Sequence, residues 1–319
     1  MPRLTTILIV LCLCASASSA AAAANPKVVV SISPIHSIAA RIMQGVGAPT
    51  LLLPPGASPH AYAMKPSGAQ ALADADAVFW IGEALEGFLK GPIAALARHA
   101  EVVELIDTPG VIRLPTRKGG PWDREAAGHG QSPHGQSPDD QSPDDHGAID
   151  PHIWLDPENA VAIADAMATT MAKIDPENAA RYRANSAAFT REINALIAET
   201  ETILASARDT PTIVFHDAYQ YFENRYGLNV VGAIALNPET RPSARRMQGI
   251  RARLAETNAA CVFIEPEFPA KRAEAIVAGT AARIAALDPL GAGLTPGASL
   301  YPSLIKGLAA AYRACVARR

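Results

Sequence analysis

The chain has 319 residues, of which 49% are hydrophobic and 18% are charged, and its net charge at neutral pH is −3. This balance argues against a nucleic-acid-binding protein, which would carry a basic face. A chain of this length exceeds what one hydrophobic core usually serves, so we expect two domains.

Residues 1–24 have the composition of a secretory signal peptide. Arg3 gives a basic start, Ile7 to Cys14 form an apolar core, and Ala15 to Ala24 form a run of small residues with several A-x-A cleavage options. The apolar run is too short to span a bilayer, and no later stretch is apolar for long enough. We therefore predict an exported protein without stable membrane insertion, cleaved within Ala20 to Ala24.

Two cysteines, Cys261 and Cys315, follow the signal segment. An even pair in an oxidising compartment predicts a disulfide. This bond would tie the C-terminal helix to the last domain.

From Val28 onward, short β-branched runs alternate with longer helical patterns, which is typical of βαβ units and a parallel sheet. The predicted strands of the first lobe are Val28–Ile32, Thr50–Leu53, Ala77–Trp80 and Val102–Leu105. The predicted helices between them are Ile38–Gln44, Pro66–Ala73 and Leu85–Ala97.

Between Thr116 and Ile149 the alternation fails. The segment holds three copies of Gln-Ser-Pro and almost no apolar residue, so we predict a mobile loop at 117–149 inserted in the first lobe. Its histidines and aspartates fit either weak accessory metal binding or the chemistry of a solvated linker. The histidines concerned are His129, His134 and His146.

Two Asp-Pro-Glu sequences predict helix starts, with aspartate as the N-cap and proline in the first turn. The first, at Asp156, begins a helix that runs to about Ile174. The second, at Asp175, begins helical spacing that continues to about Ala207. At about 1.5 Å per residue this second helix is roughly 45 Å long, which suits a strut between domains better than a sheet crossover.

The alternation then returns. Predicted strands are Thr212–Phe215, Asn229–Leu236, Cys261–Ile264 and Arg283–Leu287, and predicted helices are Ala218–Tyr226, Pro242–Glu256, Ala270–Ala281 and Tyr301–Ala317. The fold class is therefore α/β, with two parallel-sheet lobes joined by one long rigid helix. The predicted boundaries are 25–175 for the N-terminal lobe, 176–207 for the linking helix and 208–319 for the C-terminal lobe.

Three histidines lie on short connections of this predicted fold. His60 follows a strand and a proline-rich loop, His152 lies between two Asp-Pro steps, and His216 closes a strand. Connections at the carboxyl ends of parallel strands meet on one face, where open α/β sheets bind ligands. Three imidazoles with one further ligand suit tetrahedral zinc.

The motifs around these histidines resemble the zinc-binding periplasmic component of high-affinity zinc ABC importers. The segments that carry the resemblance are Pro55-Gly56-Ala57-Ser58-Pro59-His60, Asp150 to Pro157, and Phe215 to Phe222. The resemblance covers nearly all of the mature chain, including the acidic His-bearing loop and Leu287 to Gly291. It implies a periplasmic monomer, not an enzyme, that binds Zn²⁺ through His60, His152 and His216 at a metal site in the cleft between the lobes and delivers it to a membrane permease.

The fourth ligand is open at this point. Some zinc members of the family have a glutamate directly before the first histidine, where this chain has Pro59. Asp288 matches a position that supplies a carboxylate in metal-binding relatives, so Asp288 or a water is expected, although a turn cap before Pro289 is the simpler role. Asp217 and Glu265 could each orient the ring of a ligand histidine. A helix cap for Asp217 and a surface carboxylate for Glu265 are the alternative interpretations.

Three other functions fit parts of the pattern. A manganese or iron receptor on the same scaffold would usually carry a carboxylate where His216 stands. A zinc-dependent hydrolase would use three histidines and an open fourth position to activate water. An adhesin on the same scaffold would bind host matrix without metal.

Overall fold

The computed structural model describes residues 25–118, 120–122, 149–236, 238–239, 241–266, 268 and 270–317. The predicted signal peptide and the loop residues His129, His134 and His146 lie outside this part of the chain. Within it, we find no helix that is both long and apolar enough to cross a membrane.

The N-terminal sheet is four-stranded in the described residues and entirely parallel, with the order β2-β1-β3-β4. Val29, in the central strand, pairs with Thr50 on one side and Val78 on the other. The strands are β1 Val28–Val30, β2 Thr50–Leu51, β3 Ala77–Trp80 and β4 Glu101–Glu104; the helices are α1 Ser33–Ile42, α2 Pro66–Ala73 and α3 Glu83–Leu96. The β-branched and aromatic side chains of β1 and β3 are fully buried, which explains why these short runs form strands.

The C-terminal sheet repeats this topology, with four parallel strands in the order β6-β5-β7-β8. Its strands are β5 Thr212–His216, β6 Val230–Ala235, β7 Cys261–Ile264 and β8 Arg283–Ala286; its later helices are α6 Gln220–Tyr226, α7 Ala244–Thr257, α8 Lys271–Val277 and α9 Leu300–Val316. In both sheets the first strand is internal, and the chain crosses from one side of it to the other. The carboxyl end of such a strand is the place where doubly wound sheets bind ligands.

The long helix between the lobes is confirmed, but it is not a free strut. Asp156 caps α4 (Pro157–Ile174) by accepting a hydrogen bond from the amide of Glu158 at 3.0 Å. After a 3-10 turn at Pro176–Asn178 the chain folds back as the 26-residue helix α5 (Ala179–Leu204). This helix packs along α4, α1 and α9, so a helical layer joins the lobes.

The C-terminal helix α9 packs against α1 of the first lobe and against the linking helix α5. The amide of Tyr301 donates to Ser37 Oγ at 2.9 Å, and the hydroxyl of Tyr301 donates to the carbonyl of Trp154 at 2.8 Å. The predicted disulfide is present and joins Cys261 in β7 to Cys315 in α9. The lobe boundaries drawn from sequence stay a prediction, because α9 serves both lobes.

We expect the Cys261→Ala/Cys315→Ala variant to lose up to about 4 kcal/mol of unfolding free energy, because the bond closes a loop of 54 residues. Urea unfolding of the metal-free protein measures this loss. Cys261 is the first residue of β7, at the end of the strand that points away from the cleft, so the number of metal ions bound per chain should be unchanged. A variant as stable as the parent would contradict the prediction.

Candidate metal centre

Three imidazoles from three separate segments meet in the cleft between the lobes. His60 follows β2, His152 immediately precedes the 3-10 turn Ile153–Leu155, and His216 is the last residue of β5. Their ring centroids are 4.8 to 5.6 Å apart, and one ring nitrogen from each lies within 4.8 Å of the others. The convergence predicted from the sequence is therefore present.

His152 is oriented by a carboxylate two residues earlier in the chain. Asp150 Oδ1 lies 2.7 Å from Nδ1 of His152 and also accepts its backbone amide at 3.0 Å. With Nδ1–H donating to Asp150, the lone pair of Nε2 faces the cleft. Nε2 is buried and has no hydrogen-bond partner in the described structure, which is the state expected of a ligand atom.

His216 has a similar arrangement with Glu265, which follows β7. Nδ1 of His216 lies 3.3 Å from Oε1 and 3.4 Å from Oε2 of Glu265, and both side chains are buried. Nε2 of His216 is likewise buried and unpaired among the described residues. Glu265 is therefore not a surface carboxylate. It lies beside the ring of His216, as expected of a residue that orients a ligand.

His60 completes the group from the turn after β2. It is less buried than His152 and His216, and its amide donates to Ser58 Oγ at 3.3 Å. Its ring lies 5.6 Å from that of His152 and 5.2 Å from that of His216, measured between centroids. A zinc tetrahedron with Zn–N bonds near 2.0 Å needs nitrogens about 3.3 Å apart, so a small inward movement would bring the three into range.

The environment gives the three rings different proton affinities. Burial, then the neighbouring His216 and His152, lowers the pKa of His60 to about 2. Burial, then His216, lowers the pKa of His152 well below its usual value. Burial also opposes the charged ring of His216, but the charge and hydrogen bonding of Glu265 outweigh it and raise the pKa. Two rings therefore favour the neutral form that binds a cation, whereas the third holds a proton more readily, and a metal would compete with that proton.

The cleft wall is mostly apolar, which strengthens electrostatic interactions inside it. The indole Nε1–H of Trp154 donates to the carbonyl of Pro289 at 2.8 Å and so crosses from one lobe to the other. The apolar lining residues are Pro59, Trp154, Pro238, Phe268, Pro289 and Leu290.

The structure does not bring Asp288 into this group of described residues. Asp288 Oδ1 accepts the amides of Leu290 at 3.2 Å and Gly291 at 2.7 Å, and Oδ2 accepts the amide of Gly293 at 3.1 Å. Three backbone bonds hold the carboxylate on its own loop as a turn cap. Its role as fourth ligand stays a prediction, and Glu265 is the carboxylate that lines the cleft.

Sequence reasoning missed two residues near the site. Asp150 was noticed only as part of an Asp-Pro step, although its position two residues before His152 is a usable signal for a carboxylate–imidazole pair. Arg117 was placed at the start of the mobile segment, but its side chain is only 15% exposed and is paired with Asp217 and Glu223 across the lobes. Nothing local in the sequence distinguishes Arg117 from a solvated arginine.

Two α/β lobes with matching parallel sheets and three convergent imidazoles between them define a two-lobed metal-binding protein. The family comparison specifies it further, since residues 28–315 match the model of the ZnuA family, described as zinc-uptake complex component A, periplasmic. The chain belongs to this family.

Its relatives carry the same description over nearly their whole length. The high-affinity zinc uptake system protein ZnuA of Brucella suis is 45% identical, with 91% of this chain and 92% of that protein covered. The protein of the same name from Paracoccus denitrificans is 38% identical, with coverage of 91% and 92%. Among solved structures, a ZnuA deletion mutant with zinc bound superposes with a TM-score of 0.72 at 27% identity, covering 91% of this chain and 97% of that one.

We expect metal affinity to depend on one proton below the pKa of His216 and to become independent of pH above it. The pKa of His216 is raised, so below that pKa Zn²⁺ competes with a proton on this ring, whereas burial lowers the pKa values of His60 and His152 and keeps these rings neutral over the range. Apparent affinity should fall about tenfold per pH unit on the acid side. Competition titrations between about pH 5 and 8 measure the slope.

Glu265→Gln is the control for this titration. It removes the charge that raises the pKa of His216, so the onset of the affinity loss should move to lower pH. A slope of three protons, or no pH dependence over the range, would contradict the assignment.

Proposed function

We propose that the chain is a periplasmic receptor that captures Zn²⁺ with high affinity and delivers it to the membrane permease of an ABC importer. One observation carries the proposal. Two buried Nε2 atoms without hydrogen-bond partners, each on a ring backed by a carboxylate, converge with a third imidazole between two lobes. Two unsatisfied polar atoms in a buried cleft are costly unless a cation binds them.

The donor set favours zinc over the other divalent metals. Imidazole nitrogens suit Zn²⁺, whereas Mn²⁺ and Mg²⁺ prefer oxygen. His60, His152 and His216 are the proposed ligands, and a water or a carboxylate such as Asp288 takes the fourth position. A manganese or iron receptor would instead use a carboxylate in the inner set, and that is the alternative within the same class.

We propose binding and release rather than catalysis. A hydrolytic zinc site needs a group that accepts a proton from bound water at the open position. Asp150 and Glu265, which lie against the imidazoles, each contact the Nδ1 of a proposed ligand and are already engaged in orienting it. Family membership and the predicted signal peptide support a periplasmic location for the receptor, which we expect to act as a monomer.

Alanine at any one of the three histidines should remove tight zinc binding. Loss of a ligand should weaken affinity by more than about 100-fold, since an outer partner alone contributes roughly 10- to 100-fold. Metal analysis of purified protein and competition with a chromogenic chelator measure this. His99→Ala, at an exposed position, is the matched control and should keep one zinc per chain.

Two outcomes would replace the proposal. Preference for Mn²⁺ or Fe²⁺ over Zn²⁺ in direct competition would assign the chain to the alternative receptor class. Zinc-dependent ester or peptide hydrolysis that disappears in His216→Ala would indicate an enzyme.

Deleting residues 128–147 should leave one tight zinc site and remove only weak additional binding. The proposed ligands lie outside the deleted segment, and Pro115 and Ile149 pair as an antiparallel bridge at its base. Isothermal titration of the deletion variant, compared with a variant that replaces the same residues by Gly-Ser repeats, measures stoichiometry. Loss of the tight site in both variants would show that the segment supplies a primary ligand.

A further inference from the structure

A largely buried ion cluster joins the two lobes next to the metal site. Nη1 of Arg117 lies 2.5 Å from Glu223 Oε2, and Nε lies 3.3 Å from Asp217 Oδ2, while Nη2 bonds both carboxylates. The three side chains are only 15%, 8% and 11% exposed, respectively. The guanidinium carbon also stacks 3.6 Å from the ring centroid of Trp122. Arg117 is therefore fixed on its edge by two carboxylates and on its face by an aromatic ring.

Arg117 belongs to a short two-stranded segment at the base of the predicted loop, which we call the neck and define as residues 114–117 and 149–150. Pro115 and Ile149 pair across it, and the amide of Asp150 donates to the carbonyl of Leu114 at 2.8 Å. The neck is thus an ordered element whose two strands hold each other in register.

Helix α6 of the C-terminal lobe binds the neck directly. The hydroxyl of Tyr221 donates to the carbonyl of Asp150 at 2.8 Å and accepts the amide of Leu114 at 3.0 Å. The side-chain amide of Gln220 donates to the carbonyl of Pro115 at 3.2 Å. Since α6 follows the turn that begins with His216, the neck lies against the segment that comes directly after this histidine.

The two strands of the neck therefore reach two different ligands. On one strand, Asp150 bonds Nδ1 of His152. On the other, Arg117 bonds Asp217, the residue after His216. The neck thus connects His152 of the first lobe to His216 of the second. The ring centroids of these two histidines are 4.8 Å apart.

We propose that Arg117 is a positioning residue of the metal site, which fixes His216 relative to His152 by pairing with Asp217 and Glu223. This inference rests on the proposed function, because it concerns the same three-histidine site. A fixed separation of the rings before metal arrives reduces the ordering that binding requires, and this preorganisation raises affinity. It should act mainly on the dissociation rate.

Replacing Arg117 by Met tests the proposal, because Met keeps much of the side-chain volume and removes the forked charge. Arg225→Met is the matched control. Arg225, on α6, likewise pairs across the lobes, with Nε 2.8 Å from Asp156 Oδ1 and Nη2 2.5 Å from Glu158 Oε2, and neither partner belongs to the turn after His216. The two variants therefore separate site positioning from a general tie between lobes.

Zn²⁺ affinity, Zn²⁺ dissociation rate and the visible spectrum of the Co²⁺-loaded protein are the readouts. We expect Arg117→Met to weaken Zn²⁺ binding by about 10- to 100-fold, mostly through faster dissociation, and to change the Co²⁺ spectrum. Arg225→Met should change affinity by less than about threefold and leave the spectrum as in the parent, even if its urea midpoint falls equally. In the His216→Ala background, Arg117→Met should have no further effect on affinity.

Parent-like affinity and spectrum in Arg117→Met, or equal affinity losses in both variants, would overturn the inference. Where Arg117→Met does not fold, Arg117→Met/Glu223→Gln removes one of the two buried carboxylate charges, and Arg117→Lys keeps a charge without the fork; both should still show the altered spectrum. If the parent chain itself fails to bind Zn²⁺ tightly, the proposed function fails instead, so the two failures are distinct.

Discussion

The site depends on keeping two imidazole nitrogens buried and unpaired at a fixed place between the lobes. A polar atom in that state loses its hydrogen bonds to water, and the fold must hold it there by other contacts. Asp150 and Glu265 provide these contacts, because each engages the opposite nitrogen of its ring. The carboxylates thereby determine which atom of each ring faces the cleft.

In the second lobe, the order of the strands that positions His216 also brings Glu265 next to it. β5 and β7 are neighbours on either side of the chain crossover, so His216 at the end of one strand and Glu265 after the other are adjacent. In the first lobe, the ligands come from longer connections after β2 and β4, and cross-lobe bonds fix them. The hydrogen bond from Trp154 to the carbonyl of Pro289 is one such bond, and the Tyr221 contacts with the neck are others.

Much of the fold, and the three histidines of the candidate site, could be predicted from the sequence. The strand pattern and the three histidines follow from alternation and from the rule that strand ends converge, and all eight predicted strands overlap strands in the described structure. Helix α1 starts five residues before its predicted start at Ile38, because Pro34 is tolerated in a first helical turn and does not delay the helix. The existence of each strand was easier to predict than its ends.

The electrostatic environment of the site was not predictable in the same way. Asp288 is a carboxylate and follows a strand, as a metal ligand on this fold would. In the structure its carboxylate caps a tight turn by accepting three backbone amides. The sequence does not specify the positions of those amides. Arg117 and Glu223 are more than a hundred residues apart, and only the folded lobes bring them together. Long-range charge pairs of this kind leave no periodic signal.

The position of α9 has a consequence for how the chain acquires its fold. A chain that emerges from its amino end presents α1 and α5 long before α9 is available to cover them. The surface of α1 and α5 that α9 covers is therefore exposed until α9 docks on it. The Cys261–Cys315 bond holds α9 to β7 of the C-terminal sheet, so it fixes the covering helix to the second lobe and not to the first. The first lobe thus completes its packing with a helix that is covalently anchored in the other lobe.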